Sequence, residues 1–204
     1  MPRWLKGMAS CCSAPIWENF FLLGSRLTVE GYPTAVLMNS PRDRGLAGLL
    51  DDYRLRVRQR TIHARPRREA LRELSAVLRQ NQVAIVIADE FRRGNGIAVR
   101  FFGGTVIARR GPATIALRTG AAIVPAYLVR QGDDSLKLII EPELVLERSG
   151  KGNAAISENT ARLVQWLERT VRAYPEQWNW MNVRHWAESD DKSIYEPQPL
   201  QRAV

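Results

Sequence analysis

Apolar residues recur along this chain with two alternating periods. In four segments they return every three or four positions, which is typical of amphipathic helices. A fifth, shorter segment is bounded by Gly-Pro and Gly, which are helix start and stop signals. The predicted helices are PIWENFFLLGSRLTVEG, RGLAGLLDDYRLRVRQR, REALRELSAVLRQN, GPATIALRTG and ISENTARLVQWLERTVRAYPEQW. We expect the last of them to begin near Ser157 and to stop at Pro175.

Short apolar runs between the helices predict five strands. They are YPTAVLM, VAIVIAD, IAVRFFGG, AAIVPAYLVR and LKLIIEPELVL. Helices that alternate with apolar strands favour an α/β fold, in which a mixed sheet is covered by helices on both sides.

The run VAIVIAD is apolar at every position before its last residue, Asp89. A continuous β-branched run of this kind indicates a parallel strand that is buried on both faces. Ligands of such sheets bind at the carboxyl ends of the strands, so Asp89 is the first candidate for chemistry. The alternative is that its carboxylate only caps a loop.

Composition narrows the possible partners. The chain has 204 residues, of which 45% are hydrophobic and 25% charged, and this is a globular composition for one domain. The net charge of +9 predicts an anionic partner: nucleic acid, anionic lipid, or a phosphorylated substrate or carrier. No window approaches the ~18 consecutive apolar residues that a membrane span needs. Cys11 and Cys12 are adjacent and give no metal-ligand spacing, so neither a metal nor another cofactor is expected.

Most familiar catalytic patterns are absent from the sequence. It contains no Walker loop, no G-x-G-x-x-G after a strand, no G-x-S-x-G and no H-E-x-x-H. Only two histidines occur, His63 and His185. A Ser-His-Asp triad therefore has little material to draw on.

The second half of the chain carries more specific motifs. They are Asp89-Glu90 after the buried strand, VRFFG at 99–103, the run from Gly111 to Pro125, and PEQWNW followed by RHW, which ends at Trp186. In combination they resemble the bacterial lipid A late acyltransferases, the lauroyl and myristoyl acyltransferase family. The resemblance extends from Trp17 to about Trp186.

That resemblance implies a fold similar to the glycerolipid acyltransferases. It also implies a reaction, in which an acyl chain moves from an acyl carrier protein or coenzyme A thioester to a hydroxyl of a lipid A precursor or related glycolipid. The basic charge fits both an acidic carrier and an anionic membrane surface. We therefore expect a peripheral protein on the cytoplasmic face of the bacterial inner membrane.

The family's catalytic motif is H-x4-D/E, in which histidine removes the proton of the acceptor hydroxyl and the carboxylate orients the imidazole. The resemblance places Glu18 at the carboxylate position, but the histidine position falls on Ser13, which cannot act as a base near neutral pH. Arg54 matches an arginine that contacts the substrate, and Asp89 matches an acidic residue of the family's site. The alternatives are that Glu18 faces solvent and that Arg54 belongs to a solvated basic helix face.

The first residues, MPRWLKGMASCCSA, match nothing in the family, whose members carry a membrane anchor and a leading strand before the histidine. We therefore predict a non-matching segment over 1–14, an acyltransferase-like domain over 15–187 and a disordered tail over 188–204, in a chain that lacks its leading strand and exposes a sheet edge. Inactivity is one consequence, and a non-catalytic lipid- or carrier-binding remnant is the alternative function. Nucleic-acid binding through YRLRVRQR lacks any supporting fold motif, so no nucleic acid is expected.

Overall fold

The computed structural model describes residues 10–14, 20–41, 43–91, 96–149 and 152–180. Within these ranges the chain forms five α-helices and eight β-strands. The helices are α1 (Phe20–Val29), α2 (Arg44–Arg56), α3 (Arg67–Arg79), α4 (Gly111–Thr119) and α5 (Asn153–Ala173). The strands are β1 (Ser10–Ala14), β2 (Thr34–Met38), β3 (Arg60–His63), β4 (Val83–Ile87), β5 (Ile97–Phe101), β6 (Gly104–Ala108), β7 (Ala122–Arg130) and β8 (Leu136–Ile140).

Six of these strands form one sheet in the order β3-β2-β4-β1-β7-β8. The first five run parallel, and β8 pairs antiparallel with β7 at one side. Parallel strands end on the same side of a sheet, so β3, β2, β4 and β1 finish along one line that we call the carboxyl edge. The sheet confirms the predicted α/β class, in which helices cover a mixed sheet.

The position of β1 corrects the expectation that the leading strand is missing. Residues Ser10–Ala14 lie inside the sheet, in parallel register with β4 on one side and β7 on the other. Ser13, for example, is opposite Val86 and Pro125. The sequence SCCSA has no bulky or β-branched residue, so hydrophobic periodicity did not predict a strand there. The sheet edge that we expected to be exposed between β4 and β7 is therefore filled.

Strand β4 is buried on both faces, as its sequence predicts. Val83 and Ile85 belong to an apolar cluster with α1, whereas Ala84 and Val86 belong to a second cluster with α3 and α4. Successive side chains of a strand point to opposite faces, which divides the run between the two clusters. The helices thus enclose the sheet from both sides and leave its carboxyl edge as the place where polar groups collect.

A third apolar cluster joins the β5–β6 hairpin to α5 and β7. The hairpin turns at Phe102 and Gly103, both with positive φ (49° and 81°). The backbone N–H of Phe102 donates to Glu168 of α5 at 2.9 Å. This packing brings the hairpin and the segment after α5 against the end of β4.

Four further details differ from the sequence predictions. β3 and β6 were not predicted, and β3 has only four residues, with the polar sequence RTIH. β8 ends at Ile140 because Pro142 follows and cannot continue the ladder. Helix α5 begins at Asn153, a turn before Ser157, although it does end just before Pro175. The predicted tail over 188–204 lies outside the described residues.

Candidate active site

Asp89 lies two residues beyond β4 and is completely buried. Its Oδ2 accepts a hydrogen bond from the indole Nε1 of Trp178 at 2.8 Å. Trp178 is itself buried and packs edge-on against Phe101, with ring centroids 5.5 Å apart. The bond therefore ties the segment after β4 to the segment after α5. In this geometry Asp89 is directed at a protein side chain, so its predicted catalytic role stays a prediction.

Arg54 lies in the last turn of α2, and its side chain is only 6% exposed. This burial contradicts the alternative in which Arg54 belongs to a solvated helix face. Its Nη1 lies 3.6 Å from Oδ1 of Asp51 and donates no hydrogen bond to any residue that the structure describes. Burial lowers the pKa of Arg54, and the nearby carboxylate of Asp51 partly offsets that effect. A buried cation is costly unless its donors are hydrogen-bonded, and the ion pair with Asp51 leaves the Nη1 donor without an acceptor among the described residues.

Asp51 connects Arg54 to two residues of β3. Its Oδ1 accepts a hydrogen bond from Thr61 at 3.1 Å, and its Oδ2 lies 3.9 Å from Nε2 of His63. On the other side of the imidazole, Nδ1 of His63 lies 2.9 Å from Oγ of Ser40, in the loop after β2. These five residues form what we call the β2–β3 cluster, at the outer end of the carboxyl edge.

Sequence reasoning singled out Arg54 in this cluster and considered His63 only as a conceivable substitute for the motif histidine. Ser40, Asp51 and Thr61 carry no motif, and His63 stands far from the family's catalytic motif in sequence. A prediction of β3 would have placed His63 at the carboxyl end of a strand, as Asp89 nearly is. The sequence RTIH did not predict that strand.

The histidine position of the family's H-x4-D/E motif, Ser13, lies in β1, at the other end of the carboxyl edge from β3. Ser13 is the fourth residue of β1, and the order of the sheet places β4 and β2 between β1 and β3. Glu18, like the motif residue Trp186, lies outside the described residues. Its predicted role as the motif carboxylate therefore stays a prediction.

A comparison of the sequence with known families decides between the resemblance and chance. The profile of the bacterial lipid A biosynthesis acyltransferases matches residues 22–186. This chain belongs to that family. No curated protein matches it.

The match places Arg54, Asp89 and the whole β2–β3 cluster inside the lipid A acyltransferase region, and it begins after Ser13 and Glu18. The resemblance stated from the motifs is confirmed. Membership in an acyltransferase family identifies acyl transfer in lipid A biosynthesis as the general class of activity.

In this family member the aromatic motif residues divide between core and surface. Phe101 is buried in the apolar core, and its ring centroid lies 4.9 Å from that of Phe91. Trp180 is 45% exposed and lies on Trp178 and Phe102, at 4.8 and 5.7 Å between ring centroids. Packing onto the protein is thus the role of Trp178, whereas Trp180 presents part of its ring to solvent.

The described part of the chain contains neither a metal-binding cluster nor a helix that could cross a membrane. No group of three or more His, Cys, Asp or Glu residues there could hold a metal ion. Among the described helices, none combines the length and the hydrophobicity that crossing a bilayer requires. The site therefore consists of the carboxyl edge, with a hydrogen-bonded carboxylate near its middle and a buried cation at its outer end.

Proposed function

We propose that this chain transfers an acyl group from an acyl carrier protein or coenzyme A thioester to a hydroxyl of a lipid A precursor or related glycolipid. The observation that carries the proposal is the buried guanidinium of Arg54, inside the family's matched region, whose Nη1 donates to none of the described residues. A phosphorylated glycolipid supplies the anion that this guanidinium needs. The proposal therefore assigns the acceptor phosphate to Arg54.

The physical argument for a phosphate is the low exposure of Arg54 together with the weak pairing to Asp51. At 3.6 Å the contact with Asp51 is an ion pair but exceeds the usual length of a charge-assisted hydrogen bond. A phosphate oxygen at hydrogen-bond distance from Nη1 would satisfy the donor and stabilise the charged form, whose pKa burial lowers. Arginine suits this task because its planar fork matches phosphate geometry.

The remaining predicted site residues have different parts in the proposal. Glu18 is assigned to the motif carboxylate on the strength of the resemblance. For Asp89 we propose an indirect part in catalysis, since its bond to Trp178 fixes the chain beyond β4 against the chain beyond α5. The net charge of +9 supports an acidic carrier and an anionic membrane as partners. On this basis we propose peripheral attachment to the cytoplasmic face of the inner membrane.

A second candidate function is non-catalytic binding of a lipid or an acyl carrier. The observation that favours it is Ser13, which stands where the resemblance puts the catalytic histidine. A hydroxyl cannot accept the proton of the acceptor, so the motif position alone does not support turnover.

The test compares the native chain with Ser13→His in acyl transfer from an acyl carrier protein thioester to a lipid A precursor. Activity of the native chain supports the enzyme and shows that its base lies outside the motif position. Activity of Ser13→His alone shows an intact site that has lost its base. If both proteins bind the acyl carrier and the lipid but transfer nothing, the binding function replaces the proposed one.

A further inference from the structure

The β2–β3 cluster contains a histidine paired with a carboxylate, the two groups that the motif position lacks. We propose that His63 is the general base of this chain and that Asp51 is its positioning residue. The inference rests on the proposed function and names the proton acceptor for the same reaction. His63 lies three strands from β1, or about 14 Å at the usual spacing of neighbouring strands, so it is a different position from that of Ser13.

The contacts of the imidazole favour the tautomer that a base needs. Oδ2 of Asp51 lies 3.9 Å from Nε2 of His63, and a carboxylate near one ring nitrogen favours the proton on that nitrogen. The other nitrogen, Nδ1, then keeps its lone pair. In this tautomer Nδ1 accepts the hydrogen bond that joins it to the hydroxyl of Ser40, 2.9 Å away. Asp51 would also stabilise the imidazolium that forms when Nδ1 takes up a proton.

Ser40 marks the place of an acceptor hydroxyl. Its Oγ is at the distance that a general base requires from the group it deprotonates. Both residues are accessible, because His63 is 48% exposed and Ser40 lies in an exposed loop. A sugar hydroxyl that displaces Ser40 would therefore meet the lone pair of Nδ1 directly.

The position of Arg54 selects the kind of acceptor that can do this. Asp51 lies within 4 Å of both the guanidinium of Arg54 and the imidazole of His63, so the two groups border the same small region. A phosphorylated sugar bound through its phosphate at Arg54 would place a nearby hydroxyl at His63. This geometry does not distinguish between the two acyl donors, because the acyl carrier protein and coenzyme A present the same thioester.

In the proposed reaction His63 carries one proton from the acceptor hydroxyl to the departing sulfur. The acceptor hydroxyl gives its proton to Nδ1 of His63 while its oxygen forms a bond to the thioester carbonyl carbon. The tetrahedral intermediate then breaks its C–S bond, and the departing sulfur takes the proton from Nδ1. The products are the acylated sugar and the free thiol, and His63 is neutral again.

The experiment measures acyl transfer by the native chain, His63→Gln, Asp51→Asn and Ser40→Ala, with His185→Gln as the control for the chain's other histidine. We expect His63→Gln to reduce kcat at least about 100-fold, the usual contribution of a general base, with a smaller loss in kcat and little change in KM for Asp51→Asn. Ser40→Ala should lower KM for the acceptor, because it removes a competing hydroxyl.

A second measurement does not depend on turnover. In protein labelled with ¹⁵N-histidine, the NMR shifts of His63 should show a protonated Nε2 and an unprotonated Nδ1. Asp51→Asn should move the ring toward the other tautomer. If Asp51 has only a structural role, the native protein should show no preference for the tautomer that is protonated at Nε2.

The outcomes separate the inference from the proposed function. Native activity that survives His63→Gln overturns the inference and leaves the acyltransferase intact. Transfer that requires Ser13→His overturns it as well, whereas no transfer by any variant overturns both. Loss of activity in Ser40→Ala would make Ser40 a nucleophile instead of a stand-in for the acceptor, and protonation of Nδ1 would contradict the base assignment regardless of turnover.

Discussion

The carboxyl edge contains two polar sites of opposite character. Near its middle, Asp89 is completely buried and accepts a hydrogen bond from the buried indole of Trp178. At its outer end, Arg54 is nearly as buried but keeps an open donor among the described residues, beside the half-exposed Asp51 and His63. The first site joins parts of the protein to one another, whereas the second has a donor that no described residue accepts.

The comparison shows that burial of a charge does not by itself identify a catalytic group. Asp89 follows the most clearly predicted strand, yet the hydrogen bond that it accepts from Trp178 accounts for a structural role. Arg54 has the weaker context, yet its geometry is the harder one to explain without a ligand. Buried polar groups are almost always hydrogen-bonded, so an open donor on a buried cation is the more informative observation.

The largest expected effect is on the folding of the central site. Asp89→Ala removes the acceptor of the Trp178 indole, and an unpaired buried donor should lower the free energy of unfolding by roughly 3 kcal/mol. Chemical denaturation measures the loss. Asp89→Asn keeps a carbonyl oxygen for the indole and should recover most of it, while Asp133→Ala at an exposed turn is the control. Equal stability of Asp89→Ala and the native protein would show that the hydrogen bond between Asp89 and Trp178 does not stabilise the fold.

The next effect concerns the outer site. Arg54→Met fills the same space without the charge, and the protein should fold about as stably as before, because the carboxylate left behind, Asp51, is 41% exposed and stays solvated. Its KM for a phosphorylated acceptor should rise about 10- to 100-fold, the value of a lost charge-assisted hydrogen bond. Arg56→Met, on an exposed position of the same helix, is the matched control. An unchanged KM would show that Arg54 does not bind the phosphate of the acceptor.

A moderate effect is expected at a second network in which a carboxylate accepts a hydrogen bond from an indole, as at the Asp89 site. Tyr127 donates to Oε1 of Glu141 at 2.8 Å, while Trp166 donates to its Oε2. Burial, followed by the hydrogen bond and charge of Glu141, raises the pKa of Tyr127. Its contribution to stability is therefore complete below the ordinary tyrosine pKa of about 10 and is lost as the pH rises above it.

Tyr127→Phe tests this dependence. The variant should lose about 1 kcal/mol of stability at neutral pH, and its stability should decline less steeply than that of the native protein above pH 10. Denaturation curves between pH 8 and 11 measure both quantities. Parallel curves would show that the phenol does not titrate differently in the folded and unfolded states.

The smallest effect is expected for an exposed ion pair beside the outer site. Arg60 and Glu73 lie 2.7 Å apart, with half-exposed side chains. Glu73→Gln should change stability by less than about 0.5 kcal/mol, because solvent screens such pairs, and should leave acceptor binding unchanged. A large effect on binding would extend the outer site to the start of β3.

The sequence predicted the parts of this protein that follow from local periodicity. Helices α2, α3 and α5 and strand β4 have strong apolar patterns, so their existence and the α/β class were evident, as was the position of Asp89 at a strand end. Strands β1 and β3 were not predicted, because the sequences SCCSA and RTIH have little hydrophobic pattern. Such strands are held by pairing with their neighbours, which is a property of the whole sheet.

The sequence by itself determined the fold class, the basic charge, the family and the absence of histidine at Ser13. Only the tertiary structure decided which polar residues meet. Asp89 and Trp178 are 89 positions apart, and Ser40 and His63 are 23 apart. Contacts of this kind depend on the order of parallel strands and on the crossovers between them, because these bring distant strand ends to one edge of the sheet.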